Sequence, residues 1–429
     1  MRKLLYRTYR GLTALVRWGE RVLTAAGRLV LGAAVLTAVL GIDTTQSTAY
    51  RLFAFLLVLL VLALIGARAR RRRFAVERVL PLVASAGEAF EYRLCVRNLG
   101  PGTARAPWVR DELDDPRPSF EDFRAAMRLP SYRGWQRLLA RRRTGRVQAL
   151  PCADLAPGAV VELRVRAEAL RRGRMHFTGV TIGCEEPLGL ARGLASLPLA
   201  ANLTVLPRRY ALPVVDLPGG RRYQKGGVSL ASSVGDSEEF VGLRDYRPGD
   251  PLQKVHWKSF ARTGKPVVRE TQDEYFERHA LVLDTCVPTQ AAEAFEEAVA
   301  VAASFACTID TQECLLDLMF VGVEAYTFTA GRGQLSTANL LEVLAGVTPC
   351  AGQPFALLAR ALRERAGALS GCILIFAHWD RERADLVDAL RAHGSALRVY
   401  CVSAAPLSAS PPWLIRLVPG QVQTGLASA

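Results

Sequence analysis

Leu29–Ile42, LVLGAAVLTAVLGI, and Leu52–Ala67, LFAFLLVLLVLALIGA, are two uncharged apolar runs joined by the short polar segment DTTQSTAYR. Each is shorter than the roughly 20 residues that cross a bilayer core. The first lengthens toward Val22 when the Arg28 guanidinium snorkels to the interface. The second starts near Thr48 with Tyr50 and Arg51 at the boundary. Arg2, Lys3, Arg7, Arg10, Arg17, Arg21 and Arg28 precede the pair, and Arg68 and Arg70–Arg73 follow it, whereas the connecting loop carries only Asp43 and Arg51. The positive-inside bias then keeps both flanks in the cytoplasm. Residues 1–73 are therefore expected to form a basic start and a two-helix transmembrane hairpin, two-pass in the inner (plasma) membrane, with the remainder cytoplasmic. A cleaved signal peptide is the alternative, but the basic start is too long for a secretory n-region. An in-plane helix does not suit the second run, which has no polar face.

Lys plus Arg number 55 against 40 Asp plus Glu, a formal charge of +15 over 429 residues. The excess clusters beside the apolar runs, so it belongs to membrane topology and the lipid bilayer; no nucleic-acid partner is expected. Half of the residues are hydrophobic, which excludes a disordered chain, and the length allows two or three domains. The nine cysteines contain no CxxC and read as reduced, mostly buried thiols rather than a zinc ribbon.

From residue 74 to 206 the chain alternates apolar and polar residues in short bursts such as FEYRLCVRN, AVVELRVRAEAL and NLTVLP, separated by Gly/Pro turns. That rhythm predicts an antiparallel β-sandwich. Residues 114–146 interrupt it with an Arg-rich helical insertion, read as a solvated basic element whose Trp135, Leu138 and Leu139 otherwise face a membrane or partner. A Pro/Gly-rich linker and a charged motif fill 207–276. From 277 to 429 the period changes: strands at His279–Leu283, Cys314–Val321, Cys372–Ala377 and a final one at Leu397–Val402 alternate with helices. Such alternation predicts a doubly wound α/β domain with a mostly parallel sheet.

The densest motif, GDSEEFVGLRDYRPGDPLQKVHWKSFARTGKPVVRE from Gly235 to Glu270, interleaves acids and bases with aromatic anchors. Its candidate binding residues are Glu239, Phe240, Leu243, Arg244, Tyr246, Pro248, Gly249, Asp250, His256, Trp257 and Arg262. Charges this dense, pinned by aromatics and a Pro248-Gly249 turn, suit a hydrogen-bonded docking segment. The competing reading is a hydrolase in which Asp250 or Glu239 orients His256 as a general base. There is no GxSxG and no cysteine inside the motif, so no nucleophile is evident and no catalytic residue is assigned. Charge reversal at Arg244 or Asp250 is expected to abolish partner capture without unfolding the protein.

EEFVGLRDYRPGDPLQKVHWKSFARTGKPVVRE resembles the signature of the domain of unknown function 58 family, EF..LR.Y.PGD....I.W...AR. The resemblance implies a two-helix membrane hairpin, a β-rich region with a DPFGL-like turn, matched here by EPLGL at Glu186–Leu190, and a C-terminal von Willebrand factor A-like domain. It also implies a separate MoxR-like AAA+ ATPase as partner, with other envelope membrane proteins nearby. The chain itself has no GxxxxGK[ST].

Von Willebrand A domains commonly hold Mg²⁺ through DxSxS after the first strand. The matching residues here are Asp284, Thr285, Cys286, Val287 and Pro288, so the two hydroxyls that a hard cation prefers are lost. Asp284 and Asp380 stay as weak metal candidates at one sheet edge, and a weak divalent-cation-dependent protein-binding domain centred on Asp284 is a further alternative. No metal or cofactor is expected. The five histidines show no HExxH, the GRG at Gly331–Gly333 reads as a turn, and Cys286 lacks a neighbouring base. The expected function is a non-catalytic membrane-anchored adaptor or scaffold that docks a MoxR-like ATPase or its client in assembly or maturation of an envelope complex.

Overall fold

The computed structural model describes residues 2–40, 47–69, 73–127, 131–212, 238–250, 252, 255–273, 277–288, 291–309, 314–322, 324–331, 336–350, 355–406 and 411–427. It divides into two compact units, residues 1–208 and 209–429.

The first unit begins with three helices: α1 (Arg2–Val22), α2 (Ala25–Leu40) and α3 (Ser47–Ala69). Among the described helices only α3 is long and apolar enough to cross a membrane, over Thr48–Arg68; the apolar α2 is shorter and packs against it. Gly41 and Ile42, at the end of the first apolar run, lie outside the described residues.

Nine strands follow: β1 (Phe74–Val79), β2 (Val83–Ser85), β3 (Ala89–Asn98), β4 (Trp108–Leu113), β5 (Gly145–Val147), β6 (Leu150–Pro151), β7 (Val160–Ala169), β8 (Gly173–Glu185) and β9 (Arg192–Leu206). They make sheets of order β1-β3-β7-β5 and β2-β9-β8-β4-β6, antiparallel except for β2 beside β9. Period-2 alternation sends Tyr92, Leu94 and Val96 of β3, Val165 and Ala167 of β7, Met175 and Phe177 of β8, and Leu203 and Val205 of β9 into one core. Inside it, Arg78 donates from Nε to Asp111 Oδ2 at 2.8 Å and from Nη1 to the Leu199 carbonyl at 2.7 Å. The Tyr92 hydroxyl donates to the same Asp111 oxygen at 2.8 Å. Burial beside Asp111 pushes the Tyr92 phenol well above its ordinary value, so it remains a donor.

The insertion is not a solvated basic element. Its helices α4 (Phe120–Ala126) and α5 (Tyr132–Arg142) are capped by Ser119, in a reciprocal box with Asp122, and by Ser131. Phe123, Met127, Trp135 and Leu139 bury themselves against Tyr6 of α1, with Leu138 and Tyr9 at the margin. Tyr6, Phe123 and Trp135 meet pairwise at ring-centroid distances of 5.6, 6.0 and 5.8 Å, and Trp135 Nε1 donates to Thr13 Oγ1 at 2.9 Å. The arginines of α5 obscured this arrangement because its partner stripe, Tyr6, Tyr9 and Thr13, lies in a separate basic segment.

The EPLGL turn joins the helices to the sandwich. The buried Glu186 carboxylate accepts the backbone N–H groups of Leu188, Leu190 and Ala191 at 2.5, 2.7 and 3.3 Å. Thr24, ahead of α2, donates its hydroxyl to the Gly189 carbonyl at 2.5 Å and its N–H to the Leu190 carbonyl at 3.0 Å. Gly27 is required there, since a Cβ would sit 1.9 Å from the Leu190 oxygen. Leu190 and Ala191 complete a small core with Ala63 and Ala67 of α3.

The second unit opens with β10 (Glu238–Asp245), α6 (Trp257–Thr263) and β11 (Val267–Asp273), the two strands pairing antiparallel. Next come β12 (Glu277–Leu283), α7 (Ala292–Thr308), β13 (Cys314–Val321), β14 (Ala325–Ala330), α8 (Thr337–Gly346), α9 (Ala356–Arg365), β15 (Gly371–Phe376), α10 (Arg381–Ala392), β16 (Ala396–Val402), β17 (Leu414–Leu417) and α11 (Val422–Ala427). The sheet order is β14-β13-β12-β15-β16-β17, parallel throughout except for β14. Leu397–Val402 is therefore not the last strand: β17, four residues long, pairs beyond it. Ala280, Val282, Leu374 and Phe376 share one core with Leu358 and Leu362 of α9 and Leu386 and Leu390 of α10. On strands the alternate residues face the other way, where α7 packs.

Candidate functional site

The β10–α6–β11 motif is held by its own charges. Arg244 Nη1 and Nη2 donate to the two Asp250 carboxylate oxygens at 2.7 Å each, and the Arg247 N–H adds a third bond at 2.9 Å. Pro248 and Gly249 make the turn between them: the Asp250 N–H donates to the Arg247 carbonyl at 3.0 Å, and Gly249 takes φ +106°, open to glycine at no steric cost. Half-buried Tyr246 donates its N–H to the Pro266 carbonyl at 3.0 Å. Val255 and Val268 form a bridge and a small buried centre. Arg262 is exposed near the C-terminal end of α6, which Gly264 closes in the left-handed conformation. Glu239 and Phe240 take β10 positions opposite Gln272 and Thr271; their side chains lie outside the described residues.

His256 and Asp250 are not joined as a base and its orienting acid. Asp250 is committed to Arg244 and Arg247, while His256 Nδ1 lies 2.7 Å from Ser259 Oγ, one turn along α6. Beside exposed Lys258 and Arg262 the motif offers an apolar group. Trp257 is 60% exposed and Leu252 65%, with Leu243 and Phe260 also exposed; Trp257 and Phe260 stack edge to face at 6.0 Å. The Arg244 guanidinium, and next the Arg247 N–H, hold the Asp250 carboxyl down at about 2. A depressed carboxyl stabilises its folded setting above its unfolded value near 4 and loses that contribution as pH falls through the folded value. The Asp250 carboxyl resonance should therefore titrate near pH 2, and in Arg244→Ala it should move up toward the ordinary carboxylate range. A titration near pH 4 in the unaltered protein would refute the staple.

The second cluster occupies the carboxyl ends of β12 and β15, where the chain order reverses and open α/β sheets leave a crevice. Asp284, fully buried, follows β12, and Asp380 caps α10 by accepting the Arg383 N–H at 3.1 Å. They do come together, but around Arg383. Its Nε donates to Asp284 Oδ2 at 2.8 Å, its Nη1 to the Asp380 carboxylate and its Nη2 to the Cys286 carbonyl at 2.8 Å. The guanidinium also lies 4.3 Å from the Phe355 ring centroid. The other Asp284 oxygen accepts the Cys286 N–H at 2.9 Å.

Arg383 was not singled out from sequence, although DRERAD places a base one turn into a helix that starts at the sheet edge. The remaining groups are structural. Thr285 Oγ1 donates to the Val321 carbonyl at 2.5 Å and the Cys350 thiol to the Gly322 carbonyl at 2.7 Å. Burial, and then the Asp284 charge, push the Cys286 thiol up to about 11, which removes it as a nucleophile. Burial lowers the His378 pKa below its ordinary value, so this neighbour of Asp380 is neutral at pH 7. A divalent cation does not fit these residues. The carboxylate and carbonyl oxygens that would hold one already accept from a guanidinium, and among the described residues no group of three or more His, Cys, Asp or Glu could hold a metal.

Residues 242–402, from within β10 to the end of β16, match the family model described as protein of unknown function DUF58. The uncharacterized protein YeaD of Bacillus subtilis (strain 168) is 28% identical over 193 residues, 44% of this chain and 46% of YeaD, so the chain spans about half the length of that relative. Among solved structures, the CARDB domain of a Pyrococcus furiosus protein is 15% identical over 31% of this chain and 94% of its own, with a TM-score of 0.19. Salmonella alpha-2-macroglobulin is 17% identical over 34% of this chain and 8% of its own, with a TM-score of 0.20. The likeness to these two is too slight to bear on fold or function. Over residues 242–402 the chain is thus similar to the DUF58 family, and over 193 residues to YeaD.

Proposed function

We propose that this chain is a non-catalytic membrane-anchored adaptor whose cytoplasmic part docks a MoxR-like AAA+ ATPase or its client. In this reading α2 and α3 form the two-pass hairpin in the inner membrane, the 16-residue α2 reaching across with Arg28 of its first turn at the interface. The α/β unit is von Willebrand A-like, with Arg383 standing where such a domain would hold its cation. The observation that carries the proposal is the β10–α6–β11 motif, which closes Arg244 on Asp250 and leaves Trp257, Leu252, Leu243 and Phe260 at the surface. Exposed Trp beside an apolar neighbour is the composition of an interface anchor rather than of a solvated turn.

Recognition accordingly moves from the charges to the aromatics. Arg244 and Asp250 shape the motif, so reversing either would distort the surface as well as alter its charge. The test is affinity capture of the detergent-solubilised chain from its native membranes with and without Mg-ATP. Trp257→Ala should weaken capture of a nucleotide-sensitive ATPase by roughly tenfold or more, the scale of an interface anchor worth about 2 kcal/mol. Capture undiminished in Trp257→Ala would overturn the assignment of the surface. Absence of any nucleotide-sensitive partner from folded material would overturn the adaptor reading itself.

A further inference from the structure

Among the described residues of the first unit, the outer face of α1 is left exposed. At 3.6 residues per turn α1 carries three strips. Tyr6, Tyr9 and Thr13 form the inner strip against the insertion. Lys3, Arg7, Arg10, Arg17 and Arg21 form a cationic strip beside it. Leu4, Leu12, Leu15, Val16 and Trp18 lie on the opposite side, with Leu4 66% exposed, Leu15 62% and Trp18 49%. No charged residue interrupts the arc from Trp18 through Leu4 and Leu15 to Val16.

We propose that α1 lies flat in the bilayer interface, its outer face at the acyl boundary and exposed Lys3 and Arg7 toward anionic headgroups. The inference rests on the membrane anchorage above. Three observations select lipid over a protein partner. The chain passes from α1 through only Leu23 and Thr24 into apolar α2, and Leu23, Thr24 and Gly27 are clamped to the EPLGL turn. The C-terminal end of α1 is thus held at the level where the apolar helices start. The same turn presents exposed Leu188 beside them. Finally, Trp18 sits where an amphipathic ring is placed at headgroup depth, and a strongly basic, strongly amphipathic helix is the form that binds in plane rather than across. Arg17 and Arg21 are held by Asp115 and Glu112 at 2.9 and 2.6 Å, and Arg10 by the Tyr6 hydroxyl at 2.8 Å, which fixes the roll of α1 with the apolar strip outward.

The test uses the full chain reconstituted into phosphatidylcholine–phosphatidylglycerol vesicles that contain dibrominated phosphatidylcholine, with the bromines placed either near the headgroup or deep in the acyl chain. Tryptophan emission is compared between the chain and Trp18→Phe. Shallow bromines should quench more than deep ones, and Trp18→Phe should lose that difference, the other five tryptophans being common to both. Equal quenching in the two proteins, or stronger quenching by deep bromines, would overturn the proposal. The chain must also float with the vesicles on a density gradient. Failure to float would overturn the anchorage and this inference together, whereas floating without Trp18 quenching overturns this inference alone.

Discussion

Replacing Arg383 by alanine is expected to destabilise the α/β unit by roughly 3–5 kcal/mol, the cost of removing one partner from a buried ion pair. Asp284 is fully buried and burial already pushes its carboxyl up; with the guanidinium gone it either holds an unpaired buried charge or takes up a proton, and both cost stability. The Cys286 carbonyl and the Asp380 carboxylate lose donors in the same step. Denaturant unfolding of the detergent-solubilised chain, followed by a probe in the α/β unit, measures the loss. The paired change Asp284→Leu with Arg383→Leu should cost much less than the sum of the two single substitutions, because no uncompensated charge is then buried. A loss below about 1 kcal/mol in Arg383→Ala, the level of an exposed pair, would show that the pair is not the closed internal contact described above.

Trp135→Ala is expected to cost about 3–5 kcal/mol, as large-to-small changes at fully buried aromatic positions do. The ring touches Tyr6 and Phe123, and its N–H satisfies Thr13 across 122 residues of chain. Because the cluster joins α1 to α4 and α5 without entering the sandwich core, the loss should be local. Amide exchange should quicken in α1, α4 and α5, while β3, β7 and β8 keep their protection. Trp135→Phe, which keeps most of the packing but not the bond to Thr13, should lose only about 1 kcal/mol. Unchanged exchange in α1 of the alanine variant would mean that this cluster does not hold the N-terminal helix.

Much of the architecture was readable because it rests on short-range patterns. The apolar runs at Leu29–Ile42 and Leu52–Ala67, the period-2 rhythm of FEYRLCVRN and the alternation of strands with helices after residue 277 are each set by local geometry. The motif Glu239–Arg262 was also readable as a unit, since Arg244 and Asp250 close on each other over six residues. β17, LIRL, was missed because four residues carry too little periodicity; pairing with β16 is what makes it a strand.

Side-chain destinations were a different matter. Sequence shows that Arg244, Asp250 and His256 are close along the chain, but only the fold spends Asp250 on Arg244 and His256 on Ser259, leaving Trp257 to the surface. It shows Asp284 without the hydroxyls that a von Willebrand A resemblance would place beside it, but the guanidinium that Asp284 accepts from comes from 99 residues away. Likewise it shows Tyr6, Tyr9 and Thr13 at helical spacing and Trp135 in an Arg-rich insertion, without the contact that makes them one core. Sequence by itself determined most of the longer elements of this protein, because periodicity acts over a few residues. Tertiary structure alone decided which charges face each other, because burial and ion pairing depend on distances in space that neither spacing nor composition records.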